Sequence, residues 1–344
     1  MQVFTEIQTL LLHQKPFVCY IKPNAIVWNL LVQDNEASIE FSGQNGFVFV
    51  PFQDGKKVVI PFEENAFLQG NLEDLAKEPV AQFQTNNLQQ TEFENLVSKG
   101  VSAIKQGHFD KVVVSRKLSI PGHFSIVASF KNIVYGYPTA FRYLFVHPKI
   151  GIWMGATPEQ LVKINKDQFE TVALAGTKLY SDGLDWTTKE VNEQKIVTDY
   201  IVSKIKNHVY DIALSEPQTI QAGNLAHLKS VITGQLTSKF SALDLITTLH
   251  PTPAVCGLPK AAATEFIVKN EHYNRSYYAG FLGEYNTAES TDLFVNLRCL
   301  QWEENAVHIY VGCGITADSD SNLEYIETEN KSMTMRDILV KVKS

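Results

Sequence analysis

Gly312-Cys313-Gly314-Ile315-Thr316-Ala317 is followed closely by Glu324-Tyr325-Ile326-Glu327-Thr328-Glu329-Asn330-Lys331. Alternating Val307, Ile309 and Val311 predict a strand that breaks at the two glycines, and Ser319-Asp320-Ser321 offers N-cap oxygens to a helix. On that helix Glu324, Glu327 and Lys331 stand at i, i+3 and i+7 and share one face. Two carboxylates and an amine one turn apart, behind a glycine turn with bare N–H groups, can hold a divalent cation and an anionic substrate together. The same spacing also describes a solvated helix face with a Glu327–Lys331 pair. The rest of the chain has to decide between them.

Composition narrows the classes. With 344 residues there is room for one large or two modest domains. Hydrophobic residues make up 44% and charged residues 19%, the balance of a soluble globular chain with ample core. The net charge of −7 comes without a basic block, which argues against nucleic-acid binding. It leaves room for an anionic substrate held by a metal and local cations. Cys19, Cys256, Cys299 and Cys313 show neither CxxC spacing nor a dense framework, so reduced thiols in a cytosol are expected. The N-terminus lacks a basic segment followed by an apolar stretch, and no run nears the roughly 18 apolar residues of a membrane span. A cytoplasmic protein is the expectation.

Upstream of the glycines, Phe294-Val295-Asn296-Leu297-Arg298-Cys299 reads as a strand with an arginine inside it, which needs a carboxylate partner from protein or substrate. Pro251, Pro253 and Pro259 make 249–260 a rigid extended loop. Its small residues Thr252, Ala254 and Gly257 suit either a pocket wall or a plain connector. Thr187-Thr188-Lys189-Glu190 is a capping-box pattern opening a helix to about residue 207, with Glu190 and Glu193 one turn apart. A second pair of glutamates at i, i+3 brings Mg²⁺ into consideration, because that ion is held by one or two carboxylates and keeps several waters.

Ala173-Leu174-Ala175-Gly176-Thr177 ends a strand in a glycine turn that either presents N–H groups to an anion or merely turns the chain. Pro158-Glu159 fits proline in a first helical turn with an acidic residue favoured by the helix dipole. If the apolar flanks bury Glu159 instead, its pKa rises toward a general-acid range. Lys111 heads the apolar strand Lys111-Val112-Val113-Val114-Ser115-Arg116, where a lysine serves as an edge gatekeeper more often than as a catalytic amine. Thr91-Glu92-Phe93-Glu94 fits a capping box for an amphipathic helix that Gly107 stops, after a polar connector at Gln84–Gln90. Residues 1 to about 85 hold short apolar runs between turn signals, a strand-rich region without a chemical constellation.

Read in order, Lys111–Arg116, Gly155–Leu161, Leu174–Thr177, Glu190–Glu193, His227-Leu228, His250–Val255, Arg275–Gly280, Leu297–Cys299, Gly312–Ile315 and Glu324–Lys331 form a series. It resembles the chorismate-utilising enzymes: isochorismate synthases, salicylate synthases, and the large subunits of anthranilate and aminodeoxychorismate synthase. The resemblance covers about the last 230 residues. It implies an α+β fold of two large packed antiparallel β-sheets flanked by helices, with the active site in the cleft between them. Residues 1–90 would then be a variable strand-rich part of the same domain, and 91–344 the chorismate-binding catalytic region. The resemblance also implies Mg²⁺, with Glu193 and Glu327 as ligands and Glu190 and Glu324 supporting directly or through water. Lys331, Arg298 and the turn at Gly312 and Gly314 would hold substrate carboxylates. Tyr278 would line the same pocket, and Gly176, Thr177, His227, Thr252 and Ala254 are further substrate-binding positions.

Chemistry selects the branch. Isochorismate synthesis adds water at ring C2 while the C4 hydroxyl leaves, which needs a base and an acid on opposite sides. Lys111 fits the base, provided some of it is neutral, and Glu159 fits the acid. The ammonia-using relatives need no lysine at the first position. Aminodeoxychorismate synthase resembles a covalent catalyst with a lysine where this chain has Ala175. Salicylate synthases share both groups but usually depart from the His250–Val255 loop. Gln194 in place of a frequent histidine, Glu190 in place of an aspartate and Ser276 in place of a glycine are the departures from the family pattern. The expectation is an isochorismate synthase for menaquinone or siderophore synthesis, monomeric, without an amidotransferase subunit, nucleic acid or membrane. The alternatives are a salicylate synthase and a non-catalytic metabolite-binding relative; the retention of Lys111, Glu159 and both glutamate pairs speaks against the latter.

Overall fold

The computed structural model describes residues 2–62, 65–73, 76–81, 88–181, 183–222, 225–287 and 289–342, without the side chains of Leu88, Thr177, Leu179, Lys189, Ala222 and Leu225. The chain starts with helix α1 (Gln2–Leu12), followed by β1 (Phe17–Ile21), β2 (Val27–Val32), β3 (Ile39–Glu40), β4 (Gly46–Val50), β5 (Val58–Ile60) and β6 (Ala66–Asn71). The apolar runs fall in these strands as expected. Helix α1 does not follow from a strand-only reading of this region; it buries Val3, Phe4, Ile7 and Leu10, a helical spacing.

Next come α2 (Leu88–Lys105), β7 (Lys111–Pro121), α3 (Ile126–Gly136), β8 (Phe141–His147), β9 (Gly151–Thr157), β10 (Gln160–Asn165) and β11 (Gln168–Leu179). Helix α2 starts three residues before Thr91, so Thr91 lies inside its first turn and does not cap it. Of the connector expected at Gln84–Gln90, residues 84–87 lie outside the described residues, and Leu88–Gln90 are the first residues of α2 rather than a connector. The chain continues through α4 (Thr188–Ile205), β12 (Val209–Leu214), β13 (Gln218–Ala222), β14 (Leu225–Leu236), α5 (Ala242–Leu249), β15 (Gly257–Leu258) and α6 (Lys260–Asn270). It closes with β16 (Phe281–Thr287), β17 (Ser290–Val295), β18 (Cys299–Trp302), β19 (Ala306–Ile315) and α7 (Ser321–Arg336).

The strands form two antiparallel sheets. One runs β15-β7-β19-β18-β9-β8-β1-β2-β6, the other β12-β14-β11-β10-β17-β16-β4-β5-β3, with β13 also paired to β14. Aromatic side chains from both sheets interlock between them. Phe141 stacks on Phe294 at 4.3 Å, Phe49 lies 4.7 Å from Phe145, and Tyr20 lies 5.0 Å from Phe47. Each such ring buries a large apolar area, so truncating one to alanine costs about 3–5 kcal/mol. A second core of α1, α3 and the end of α7 covers the other face of the first sheet, around Phe17, Phe130, Leu144 and Met335. The four cysteines are free and buried. Among the described residues no helix is long and apolar enough to cross a membrane.

Candidate active site

A cleft of about 100 Å³ lies between β7 and β19 of the first sheet and β11 and β14 of the second, with α4 and α7 as its lips. Strand β19 forms the floor. It does not break at its glycines, as the sequence suggested, but stays paired with β7 from Ala306 to Ile315. Gly312 and Gly314 therefore offer no turn of bare N–H groups. A strand shows every second side chain on one face, and Tyr310, Gly312 and Gly314 form that series on the cleft side. A Cβ at Gly312 would meet the Val114 carbonyl oxygen at 2.7 Å. One at Gly314 would lie 2.8 Å from Glu193 Oε1 and 3.1 Å from Lys111 Cε. The glycines are there because other groups need the space.

Lys111 is fully buried at the head of β7, not on an exposed edge, and its Nζ donates to Glu193 Oε1 at 2.6 Å. Glu193 and Glu190 come from α4, whose start is the predicted capping box: the Thr187 N–H and hydroxyl both donate to Glu190 Oε2. Burial pushes the Glu190 carboxyl up, but those hydrogen bonds and nearby Lys178 outweigh it and leave the group below its usual range. Opposite, Asp320 caps α7 by accepting from the N–H groups of Asn322 and Leu323. That helix turns Glu324, Glu327 and Lys331 into the cleft. Lys331 Nζ donates to Glu327 Oε1 at 2.6 Å and to the Gly312 carbonyl at 3.0 Å. Glu324 is buried and accepts from the Cys313 thiol.

Pro158 and Glu159 form the two-residue link between β9 and β10, so no helix starts at Pro158. Its carboxyl is buried in the cleft wall. Burial pushes it up to about 7, against the opposing pull of Lys111 and Lys331. His227 on β14 donates Nδ1–H to the Gly176 carbonyl at 3.1 Å. Burial, with Arg298 and Lys331 nearby, lowers its pKa to about 3, so the ring is neutral. Its tautomer leaves Nε2 as an acceptor.

Arg298 sits between β17 and β18 with φ +46, rather than inside a strand, and reaches into the cleft. Burial lowers its pKa, partly offset by nearby Tyr278 and Glu327, and its Nη1 donates to Thr334 Oγ1 at 3.2 Å. Tyr278 stacks on Tyr310 at 5.6 Å, and burial keeps its phenol protonated.

Not every expected residue arrives. Thr252 is buried but does not line the cleft; the loop presents Ala254 and Val255 instead. Gly176 is not a terminal turn: β11 runs on to Leu179, and Gly176, at φ +69, forms a bulge opposite β14. Thr177 pairs with His227 through its backbone, and its side chain lies outside the described residues. Tyr310 and Val113 line the cleft without having been singled out. The signal for both was strand period, two residues from Gly312 and from Lys111.

The four glutamates supply only oxygen donors, the hard ligands that Mg²⁺ takes. Chemically they fit such an ion. Among the described residues, however, no three acidic, histidine or cysteine side chains already converge at metal distance. Glu193 and Glu327 each point an oxygen at a lysine instead.

Known proteins share this architecture. A family model described as chorismate binding enzyme matches residues 56–340. The isochorismate synthase EntC of Escherichia coli strain K12 is 28% identical over 263 residues, 73% of this chain and 67% of its own length. Two solved structures superpose on nearly the whole chain. The one assigned to a 2,3-dihydroxybenzoate-specific isochorismate synthase, DhbC, of Bacillus anthracis has a TM-score of 0.80 at 23% identity, covering 96% of this chain and 98% of that one. The menaquinone-specific isochorismate synthase MenF of Escherichia coli has a TM-score of 0.78 at 18% identity, covering 94% and 88%. At these identities the two structures establish the fold.

Proposed function

This chain belongs to the chorismate-binding enzyme family, and from that premise we propose that it is an isochorismate synthase, an isomerase that interconverts chorismate and isochorismate. Water adds at ring C2 and the C4 hydroxyl leaves as water, so the reaction consumes and releases one water and needs no redox partner. Lys111, in its neutral form and after releasing Glu193, takes the proton of the attacking water, and Glu159 gives its proton to the departing hydroxyl. One observation carries this assignment: a buried lysine and a buried glutamate with its pKa raised to about 7 face the same small cleft. A carboxyl that titrates near neutrality is matched to general-acid work at cellular pH.

Mg²⁺ supplies electrostatic stabilisation of a substrate carboxylate when bound. Glu193 and Glu327 are the proposed ligands, supported by Glu190 and Glu324. Lys331 and Arg298 would meet the substrate's carboxylates. Tyr278, Ala254, Gly176, Gly312, Gly314 and the neutral His227 would shape the pocket around the ring. The protein would act in the cytoplasm, as a monomer without an amidotransferase subunit, in menaquinone or siderophore synthesis. Incubation with chorismate and Mg²⁺, with products resolved by chromatography, tests the reaction. Isochorismate without pyruvate is expected; salicylate with pyruvate would move the protein to the salicylate-forming branch.

A further inference from the structure

We propose that Lys111 and Lys331 act as built-in counter-ions, each holding one of the two metal-binding carboxylates until a divalent cation displaces it. Cation affinity is then set by competition with these two ammoniums. The inference rests on the assignment of Glu193 and Glu327 as ligands made above.

The two contacts are alike in chemistry and independent in origin. Lys111 reaches Glu193 from β7 to α4, and Lys331 reaches Glu327 within α7, each at 2.6 Å. An ammonium donates three hydrogen bonds and accepts none, so it occupies the same carboxylate lone pairs that a cation needs. The first pair is built in rather than incidental. Gly314 leaves the slot beneath it, where any Cβ would press on both Glu193 Oε1 and Lys111 Cε. This is how four glutamates can line one cleft without forming a ready cation site: Glu193 and Glu327 each hold an ammonium, and Glu190 lies 3.4 Å from Lys178 Nζ.

The two lysines should not contribute equally. Lys331 also donates to the Gly312 carbonyl, so it keeps a partner after releasing Glu327. Lys111 is buried and, among the described residues, donates to Glu193. Releasing Glu193 leaves it without that contact unless the substrate supplies another. Lys111 is therefore the stronger competitor.

Calorimetric titration of the metal-free protein with MgCl₂, without substrate, tests the competition separately from turnover. Lys111→Met should tighten Mg²⁺ binding by about tenfold or more, the scale of one charge-assisted hydrogen bond. Lys331→Met should tighten it by less. Arg298→Met is the control: it removes a cation from the same cleft whose hydrogen bond goes to the Thr334 hydroxyl rather than to a carboxylate. Its affinity should stay within about threefold of the parent. Equal affinities across all four proteins overturn the inference and leave the reaction assignment standing. Equal tightening in Arg298→Met also overturns it, because total charge and not pairing would then be responsible. Absence of binding in every protein overturns the ligand assignment and the inference together. If Lys111→Met does not fold, Lys331→Met and Lys331→Gln decide by the same criteria.

Discussion

At the scale of the residue, Glu159 makes a prediction about both rate and stability. Its folded-state pKa, about 7, lies above the usual 4.5 because the carboxyl is buried. The native state therefore holds more protons than the unfolded chain between those values, and stability falls as pH rises from about 4.5 to 7. The shift corresponds to about 3 kcal/mol. Glu159→Gln cannot ionise, so in the metal-free protein its melting temperature relative to the parent should climb across that window and level off above pH 7. Constant melting differences would mean that the carboxyl is not buried as described. The same substitution should lower kcat by roughly 10²–10⁴-fold, because it removes the acid. In the parent, loss of the acidic form should make activity decline above about pH 7. Lys111→Gln should abolish water addition by a similar factor while circular dichroism stays unchanged; undiminished turnover would remove the assignment of the base.

At the scale of the element, β19 separates two glycine effects that look identical in sequence. The Cβ of Gly312→Ala would strike the backbone carbonyl of Val114, which cannot move without disturbing the ladder to β7. That variant should lose about 1–3 kcal/mol of stability. The Cβ of Gly314→Ala would strike the ends of two flexible side chains, Glu193 and Lys111. It should melt near the parent temperature yet lose about 10–100-fold in turnover rate, because the base and a proposed metal ligand are both displaced. Denaturant melts and turnover assays on the pair check the contrast; equal destabilisation would refute it. Strand β7 itself shows a device that no local pattern announced. Beyond its short pairing with β15, its outer edge has no strand neighbour among the described residues. The buried Glu271–Arg275 pair completes that edge: Glu271 accepts from the Ser115 N–H at 2.7 Å, and Arg275 donates to the Val113 carbonyl at 2.6 Å and the Val255 carbonyl at 2.9 Å. One ion pair thus ties the strand carrying Lys111 to the loop carrying Ala254. Arg275→Met leaves the Glu271 carboxylate buried and unpaired, so it should cost about 3–5 kcal/mol. A urea melt reads this directly.

At the scale of the whole molecule, what was legible followed periodicity and order. The apolar run at Val58–Ile60, the spacing of Glu190 and Glu193, and the cap at Asp320 are local properties, and each survives in the structure. The burial of Glu159 and Lys111 was not local: it depends on strands distant in sequence closing over them, and the local pattern favoured a helix start and an exposed edge. The glycines of β19 misled for the same reason, since the atoms that require them belong to β7 and α4. Residues 1 to about 85 read as chemically silent, and the structure gives them a different task. Strand β1 pairs with β8 in the first sheet and β4 with β16 in the second, so this segment supplies strands to both. Phe49 stacks on Tyr277 at 4.2 Å, one residue from Tyr278 in the cleft. We propose that this segment is part of the catalytic domain rather than an appendage. A chain lacking residues 1–81, with α2 kept whole, would expose the edges of β8 and β16, of which β8 is buried along its entire length. Long unpaired apolar edges pair with other chains. That truncated protein should therefore aggregate or lack a cooperative melt in size-exclusion chromatography and circular dichroism, although every proposed catalytic residue remains. A monomeric, cooperatively melting and active fragment would show instead that the two sheets close without their N-terminal strands.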